Sequence, residues 1–267
     1  MKKFVSAILA IILLSLSLFG CAEKDGKTVT VAASSVPHAK ILEQCVTAMK
    51  EKGYTLKIKV MDDYVIPNTA TQDGEVDANF FQHTPYLEQF NEENKTTLVS
   101  VAKVHYEPYA LYAGTASSLA DIPNGAKIAI PNDVTNGARA LLLLEAAGII
   151  TLKTGADLTA TKNDITKNPK HIEILEIEAA LLPNQLDEVA AAVINGNYAI
   201  SAGLDIKNAL AVESSDSTAA QTFANILVVK KGNENNEGIK ALVEILKSDA
   251  VKDFINDTYS GAVVPVN

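Results

Sequence analysis

The stretch KIAIPNDVTNGARALLLLEAA, residues 127–147, has the pattern that decides the fold. Its first five residues suit a buried strand, and residues 136–147 have the apolar spacing of a helix. A run dense in turn residues, 114–125, precedes it. Strands and helices also alternate in the segments before and after this stretch. Strands are predicted at 28–33, 55–60, 77–80, 98–104, 172–177, 190–194 and 223–229. Helices are predicted at 38–52, from near 65, at 85–94, at 235–247 and at 250–258. This alternation predicts two α/β units, each a mainly parallel sheet flanked by helices.

The chain begins with the features of an export signal. Two lysines precede an apolar run over residues 4–18, which is shorter than the roughly 20 apolar residues of a membrane-spanning helix. Residues 1–20 are therefore predicted to be a cleaved signal peptide. Residues 18–21 (LFGC) resemble a bacterial lipobox, in which Cys21 would be acylated. The alternative is an ordinary secretory signal with an incidental cysteine. Residues 21–27 are polar and are predicted to be a flexible tether.

Composition limits the classes of partner and chemistry. Without the two lysines of the signal, 21 basic residues face 32 acidic ones, a net charge of −11. Such a surface repels phosphate backbones, so no nucleic acid is expected as a partner. If Cys21 is acylated, Cys45 has no partner for an intrachain disulfide. Its position on an apolar helical face predicts a small buried hydrophobe rather than a nucleophile.

Polar side chains lie at the ends of several predicted strands. In two-unit α/β proteins, ligands bind in the crevice outside the carboxyl ends of the strands. Four candidate segments lie at such positions: residues 79–83, 132–136 and 195–198, and Asn225. The sequence therefore predicts a ligand site to which these segments contribute.

Catalytic motifs and metal motifs give little support to an enzyme. There is no Gly-rich phosphate loop, no Gly-x-Ser-x-Gly elbow and no HExxH pair of histidines. Three histidines, His38, His83 and His105, lie in the first half of the chain, so a zinc- or manganese-binding lipoprotein remains an alternative. No two of them share a local motif that would make them converge on a metal ion.

Four blocks of the chain resemble the methionine-binding lipoproteins of ABC importers. They occur in the family's order and span most of the mature chain: residues 63–68 (DYVIPN), 77–86 (DANFFQHTPY), 121–144 (beginning DIPNGAKIAIPND) and 192–199 (AVINGNYA). The resemblance implies two α/β lobes of the periplasmic-binding-protein type, joined by a hinge and closing on a ligand in the cleft. It places the first lobe at 28–110 and 221–267 and the second lobe at 111–220.

The resemblance also implies which residues hold the ligand backbone. Arg139 matches the arginine that takes the ligand carboxylate, for which a planar guanidinium offers two parallel hydrogen bonds. Asn195 and Asn225 match the asparagines that hold the amino-acid backbone, because an amide offers both a donor and an acceptor. From its sequence position alone, the Arg139 guanidinium has no predicted role in the core.

Four further residues match the wall around the ligand side chain: Tyr64, Phe81, His83 and Tyr86. Sulfur packs favourably against aromatic edges, so this wall suits a thioether better than a plain aliphatic chain. At the crossover between lobes this chain has Tyr109 where many relatives have an aliphatic residue. Tyr109 is expected to narrow or re-line the pocket.

The resemblance and the residues together predict an extracytoplasmic lipoprotein, anchored to the cell membrane through Cys21. The expected ligand is a small amino acid, methionine first of all, and the expected partners are the permease and ATPase of an ABC importer. We expect no cofactor, no metal, a monomeric state and no enzymatic activity. A metal-binding lipoprotein of an ABC importer is the first alternative, and a membrane-tethered enzyme of unrecognised type is the second.

Overall fold

The computed structural model describes residues 26–214 and 222–266. The predicted signal peptide, Cys21 and most of the predicted tether lie outside the described residues. The strands are β1 (Thr28–Ala33), β2 (Thr55–Val60), β3 (Ala78–His83), β4 (Leu98–Tyr106), β5 (Ala110–Ala113), β6 (Lys127–Pro131), β7 (Thr151–Leu152), β8 (Ile165–Lys167), β9 (Glu173–Ile177), β10 (Ala191–Ile194), β11 (Ala211–Val212), β12 (Asn225–Lys230) and β13 (Val264–Pro265). The α-helices are α1 (Lys40–Glu51), α2 (Ile66–Asp73), α3 (Thr84–Asn94), α4 (Val134–Ala146), α5 (Gly196–Ser201), α6 (Glu237–Leu246) and α7 (Asp249–Tyr259).

The strands form two larger sheets and one small hairpin. The first sheet has the order β13-β4-β12-β3-β1-β2, the second has the order β11-β5-β10-β6-β9, and β7 pairs with β8. In the first sheet β1 is parallel to β2 and β3, whereas β12 is antiparallel to β3 and β4. In the second sheet β6 is parallel to β9 and β10, whereas β5 is antiparallel to β10 and β11. Antiparallel pairs are at least as frequent as parallel ones in both sheets, so the two α/β units are confirmed but the expectation of mainly parallel sheets is corrected to mixed sheets.

Each larger sheet has its own hydrophobic core. Val31, Phe80 and Leu227 of the first sheet pack with residues of α1, α6 and α7. In the second sheet, Ile128 and Val193 pack with residues of α4. The strand order brings the chain back to the first sheet through β12 and β13 after the second sheet is complete. Two connections thus join the sheets, one at residues 107–109 and the other between β11 and β12.

The helices begin where the sequence offers capping groups. The Asp133 side chain accepts a hydrogen bond from the Asn136 backbone N–H at the start of α4. Pro67 and Pro85 occupy the first turns of α2 and α3, where a missing N–H costs nothing. The predicted strands and helices are confirmed to within a few residues. The sequence does not predict the short strands β5, β7, β8, β11 and β13 or the short helix α5, because each has too few residues for a periodic signal.

Cys45 lies in α1 and is completely buried, as predicted. Burial raises the pKa of its thiol to about 12, so the side chain is an uncharged part of the core. In residues 26–214 and 222–266, no helix has both the length and the apolar character needed to cross a bilayer.

Candidate ligand-binding site

A small cavity lies between elements of the two sheets. All seven residues that the resemblance selects line this cavity, together with five others: Tyr64, Phe81, Gln82, His83, Tyr86, Glu107, Asn136, Arg139, Asn195, Gly196, Asn197 and Asn225. Each of the four strand-end segments contributes at least one of them.

Glu107 is the lining residue that the sequence reasoning missed. The other four additional residues, Gln82, Asn136, Gly196 and Asn197, lie in segments already singled out at strand ends. Glu107 follows β4 directly, at the crossing from the first sheet to the second. An acidic side chain at such a connection, one residue before a proline, is the signal that would have found it.

A chain of hydrogen bonds fixes the orientation of the amides on one side of the cavity. Asn136 Nδ2 donates to both carboxylate oxygens of Asp133, at 2.9 and 3.1 Å. Asn136 Oδ1 is therefore turned away from Asp133, and it accepts from His83 Nε2 at 3.1 Å and from Asn195 Nδ2 at 3.0 Å. Because an amide oxygen only accepts, His83 carries its proton on Nε2. Its Nδ1 accepts from the Tyr86 backbone N–H at 3.3 Å.

The same chain of bonds determines what Asn195 presents to the cavity. Its Nδ2 is committed to Asn136, so its Oδ1 is the free end of the amide. Within the described residues, this buried oxygen has no hydrogen-bond partner. A buried acceptor without a partner costs about 1–3 kcal/mol, so a ligand that donates to it gains that free energy.

Aromatic rings form another part of the cavity wall. The Tyr64 ring lies 5.7 Å from the rings of Phe81 and of Tyr86, measured between centroids. The Tyr86 hydroxyl donates to the Tyr64 carbonyl oxygen at 3.0 Å, and the Tyr64 hydroxyl donates to Asn197 Oδ1 at 2.6 Å. The wall is thus apolar in its faces, and its hydroxyl groups are occupied by protein partners.

Buried amides hold the strand that carries Phe81 and His83 against α2. Gln82 Nε2 donates to Asn68 Oδ1 at 2.5 Å and to Asn79 Oδ1 at 2.8 Å. Asn79 Nδ2 in turn donates to Thr71 Oγ1 at 2.8 Å. All four of these side chains are buried, and their mutual bonds offset the cost of removing them from water.

Arg139 differs from its predicted setting. The sequence predicts a guanidinium without a role in the core, and this prediction is wrong: only 4% of the residue is exposed. Its Nε and Nη2 donate to the two carboxylate oxygens of Glu213, at 3.2 and 2.5 Å, and Nη2 also donates to the Glu107 carbonyl oxygen at 3.0 Å. Burial alone would raise the pKa of Glu213, but the guanidinium holds it below its usual value. The N–H groups on Nη1 of Arg139 donate to neither Glu213 nor Glu107.

Tyr109 also differs from expectation. It does not line the cavity; its ring lies 4.5 Å from the Arg139 guanidinium carbon. The Phe223 ring lies 4.0 Å from the same carbon. Tyr109 therefore supports the arginine by a cation–π contact rather than narrowing the pocket. The connection between the sheets places it behind Arg139, a position that local sequence could not reveal.

The family described as NlpA lipoprotein matches residues 29–267. The chain belongs to the NlpA lipoprotein family. One relative is the "Methionine-binding lipoprotein MetQ" of Bacillus subtilis (strain 168), which is 45% identical over 274 residues, covering 100% of this chain and 99% of the relative. The predicted family resemblance is confirmed.

Two solved structures extend the comparison to the fold. The substrate-binding protein of a methionine transporter from Streptococcus pneumoniae is 35% identical, with a TM-score of 0.85 over 90% of this chain and 96% of that chain. A nutrient-binding protein from Burkholderia cenocepacia, solved bound to methionine, is 38% identical, with a TM-score of 0.84 over 90% of this chain and 100% of that chain. This NlpA lipoprotein accordingly has the predicted two-lobe α/β fold.

Two of the histidines of this NlpA chain lie close together in the fold, although no local sequence motif predicts it. His38, His105 and Glu107 are all buried, and one potential metal-ligating atom of each lies within 4.8 Å of the others. Their atoms already bond to one another and to Asn225: His105 Nε2 lies 2.7 Å from Glu107 Oε1, and His38 Nε2 lies 2.9 Å from Asn225 Oδ1. His83 is not part of this group. The similarity to methionine-binding lipoproteins favours an amino-acid site over a metal site.

Proposed function

We propose that this chain is an extracytoplasmic lipoprotein that binds methionine and delivers it to an ABC importer. The observation that carries the proposal is the unpaired Asn195 Oδ1, which lies in the same cavity as the Glu107 carboxylate, the Arg139 guanidinium and an aromatic wall. A free amino acid has an ammonium, a carboxylate and a side chain, and these three parts match the three kinds of surface.

The ammonium group of the ligand is matched by acceptors. Asn195 Oδ1 needs a donor, and the Glu107 carboxylate supplies a negative charge to the same cavity. Burial holds the pKa of Glu107 above its usual value, although the neighbouring Arg139 and the Asn197 backbone N–H act in the opposite direction. A ligand ammonium beside Glu107 would favour its ionised form, because an opposite charge at close range stabilises a carboxylate.

The carboxylate of the ligand is matched by donors. Arg139 is already held by Glu213, so its contribution comes from the Nη1 side of the guanidinium. Asn225 uses its Oδ1 to accept from His38, which leaves its Nδ2 as a donor. The pairing of Arg139 with Glu213 also limits the net charge of the cavity, so a zwitterionic ligand suits it better than an anion.

The side chain of the ligand is matched by Tyr64, Phe81, His83 and Tyr86. Burial, and secondarily the Arg139 charge, lowers the pKa of His83 to about 4, so at neutral pH its ring is uncharged. An uncharged aromatic wall accepts a polarizable thioether, with up to about 1.5 kcal/mol for each sulfur–aromatic contact. Methionine carries that group on an unbranched chain.

The remaining parts of the proposal concern the whole protein. We infer that residues 28–110 and 221–267 form one lobe and residues 111–220 the other, a division that the membership of the two sheets supports. Cys21 would carry the lipid that retains the protein at the extracytoplasmic face of the membrane. Ligand bridging the lobes would favour the closed form for recognition by the importer. We propose a transport role and no catalysis.

Thermal unfolding of ligand-stripped protein tests this proposal. Methionine at about 100 times its dissociation constant is expected to add about 2.7 kcal/mol to the free energy of unfolding. Alanine, aspartate and Zn²⁺ should produce much smaller shifts at the same concentration. A shift with Zn²⁺ and none with any amino acid would replace the proposal with the metal-binding alternative. Mass spectrometry of the compound carried through purification gives an independent identification.

A further inference from the structure

We infer that His105 and His38 are positioning residues of the ligand site: behind the cavity they fix the Glu107 carboxylate and the Asn225 amide that meet the ligand's charged groups. Neither histidine lines the cavity. The inference rests on the proposed function, because it concerns the same site and the same ligand.

The first contact is that of His105 with Glu107. His105 lies near the end of β4 and is completely buried, and its Nε2 is 2.7 Å from Glu107 Oε1. The other carboxylate oxygen of Glu107, Oε2, lies next to Gly196. A Cβ atom added to Gly196 would be only 2.6 Å from this oxygen, so a larger residue there would clash with it. A glycine at this position makes room for the carboxylate, and His105 holds it there.

The second contact is that of His38 with Asn225. His38 Nε2 lies 2.9 Å from Asn225 Oδ1 and 3.4 Å from Glu107 Oε1. Since an amide oxygen only accepts, His38 has its proton on Nε2. Its Nδ1 then accepts from the Ser34 hydroxyl, 3.0 Å away. This arrangement sets the orientation of the Asn225 amide: its Oδ1 faces His38, and its Nδ2 points away from His38.

The surroundings of both rings keep them uncharged. Both lie edge-on to the Phe80 ring, with centroids at 4.7 Å for His38 and 5.3 Å for His105. Burial lowers the pKa of His38 to about 4 and that of His105 to about 3. His105 Nδ1 is buried and has no partner within the described residues, so a second proton on this ring would be unpaired. A neutral His105 with its proton on Nε2 donates to Glu107 Oε1 and thereby favours the ionised form of this carboxyl group, which is the form that attracts an ammonium.

Two amide substitutions separate positioning from bulk packing at His105. In His105→Gln the amide nitrogen reaches about as far as Nε2, whereas in His105→Asn the shorter side chain does not reach Glu107. Isothermal titration should give methionine a dissociation constant within about threefold of wild type for the Gln variant. For the Asn variant it should rise at least tenfold, which corresponds to about 1.4 kcal/mol.

Ligand analogues show which group each histidine serves. The His105→Asn variant should not weaken binding of 4-(methylthio)butanoate, which lacks the amino group that Glu107 is proposed to hold. The His38→Asn variant should weaken methionine at least tenfold but leave 3-(methylthio)propylamine, which lacks the carboxylate, within about threefold. Displacement titration against methionine extends the measurement to the weaker analogues.

Two control variants test for indirect effects. His171→Asn changes the exposed histidine, and Met49→Ala weakens the core of the first sheet away from the cavity. Both should bind methionine like wild type. If His105→Asn and His38→Asn also bind like wild type, or weaken methionine and the analogues equally, the positioning role is wrong although the proposed function stands. If wild type binds no methionine, the proposed function itself fails.

Discussion

The Tyr64 hydroxyl donates to Asn197 Oδ1 over 2.6 Å, and this bond joins the aromatic wall of the first sheet to helix α5 of the second. His83 and Asn136 make a second such bond, at 3.1 Å. These two bonds link elements of the two sheets at the cavity, and we expect them to stabilise the closed form.

Tyr64→Phe is expected to weaken the closed form. The substitution keeps the aromatic face but leaves Asn197 Oδ1 without this donor, at a cost of about 0.5–1.5 kcal/mol. Methionine should bind about threefold to tenfold more weakly in isothermal titration, and small-angle scattering should show a larger radius of gyration without ligand. Tyr54→Phe, at a partly buried tyrosine that packs against the core of the first sheet, is the matched control. An unchanged affinity for Tyr64→Phe would mean that this bond does not favour closure.

Arg139→Ala is expected to reduce both ligand affinity and stability. Removing the guanidinium leaves the half-buried Glu213 carboxylate with only the Tyr106 hydroxyl and the Tyr109 backbone N–H as partners, and breaking a buried ion pair costs up to about 3–5 kcal/mol. The melting temperature should fall together with a loss of at least two orders of magnitude in methionine affinity. Arg139→Lys should recover only part of both, since an ammonium cannot match both oxygens of Glu213. Lys40→Ala, which removes an exposed ion pair with Glu43, should change neither.

Acid is expected to destabilise the protein through its buried histidines. Burial lowers the pKa of His38 and His83 to about 4 and of His105 to about 3. Between pH 6.5 and 4 the unfolded chain binds more protons than the folded chain. The free energy of unfolding therefore decreases as the pH is lowered, by up to about 1.4 kcal/mol per pH unit for each histidine. Denaturant unfolding from pH 7.5 to 5 measures this slope. His105→Gln should have a shallower slope, and an equal slope would contradict the assignment.

Cys21→Ser is expected to release the protein from the membrane while leaving methionine binding intact. The lipid on Cys21 is proposed to be the anchor, and the substitution removes its attachment point. Fractionation of cells followed by immunoblotting measures the release, and Cys45→Ala serves as the control that keeps the anchor. Retention of the Cys21→Ser protein in the membrane fraction would show that another segment holds it there.

Local pattern predicted the elements of this fold because strands and helices such as β2 and α4 carry complete periodic signals. It also found the strand ends that line the cavity. It could not predict the burial of Arg139, because its partner Glu213 is 74 residues away and no sequence pattern near either residue indicates that they form an ion pair. The same limitation applies to His38 and Asn225, 187 residues apart, and to the role of Tyr109 behind the arginine. Contacts between distant segments depend on topology, which a local pattern does not specify.

We propose that the cavity recognises a free amino acid through its ammonium group. Isothermal titration of ligand-stripped wild type with methionine and with 4-(methylthio)butanoate decides whether it does, because the two compounds differ only in the amino group. Asn195 Oδ1 and Glu107 would both lose their partner with the second compound, so it should bind at least 100-fold more weakly, a difference of about 2.8 kcal/mol. Equal affinities for the two compounds, or no binding of methionine, would contradict the account.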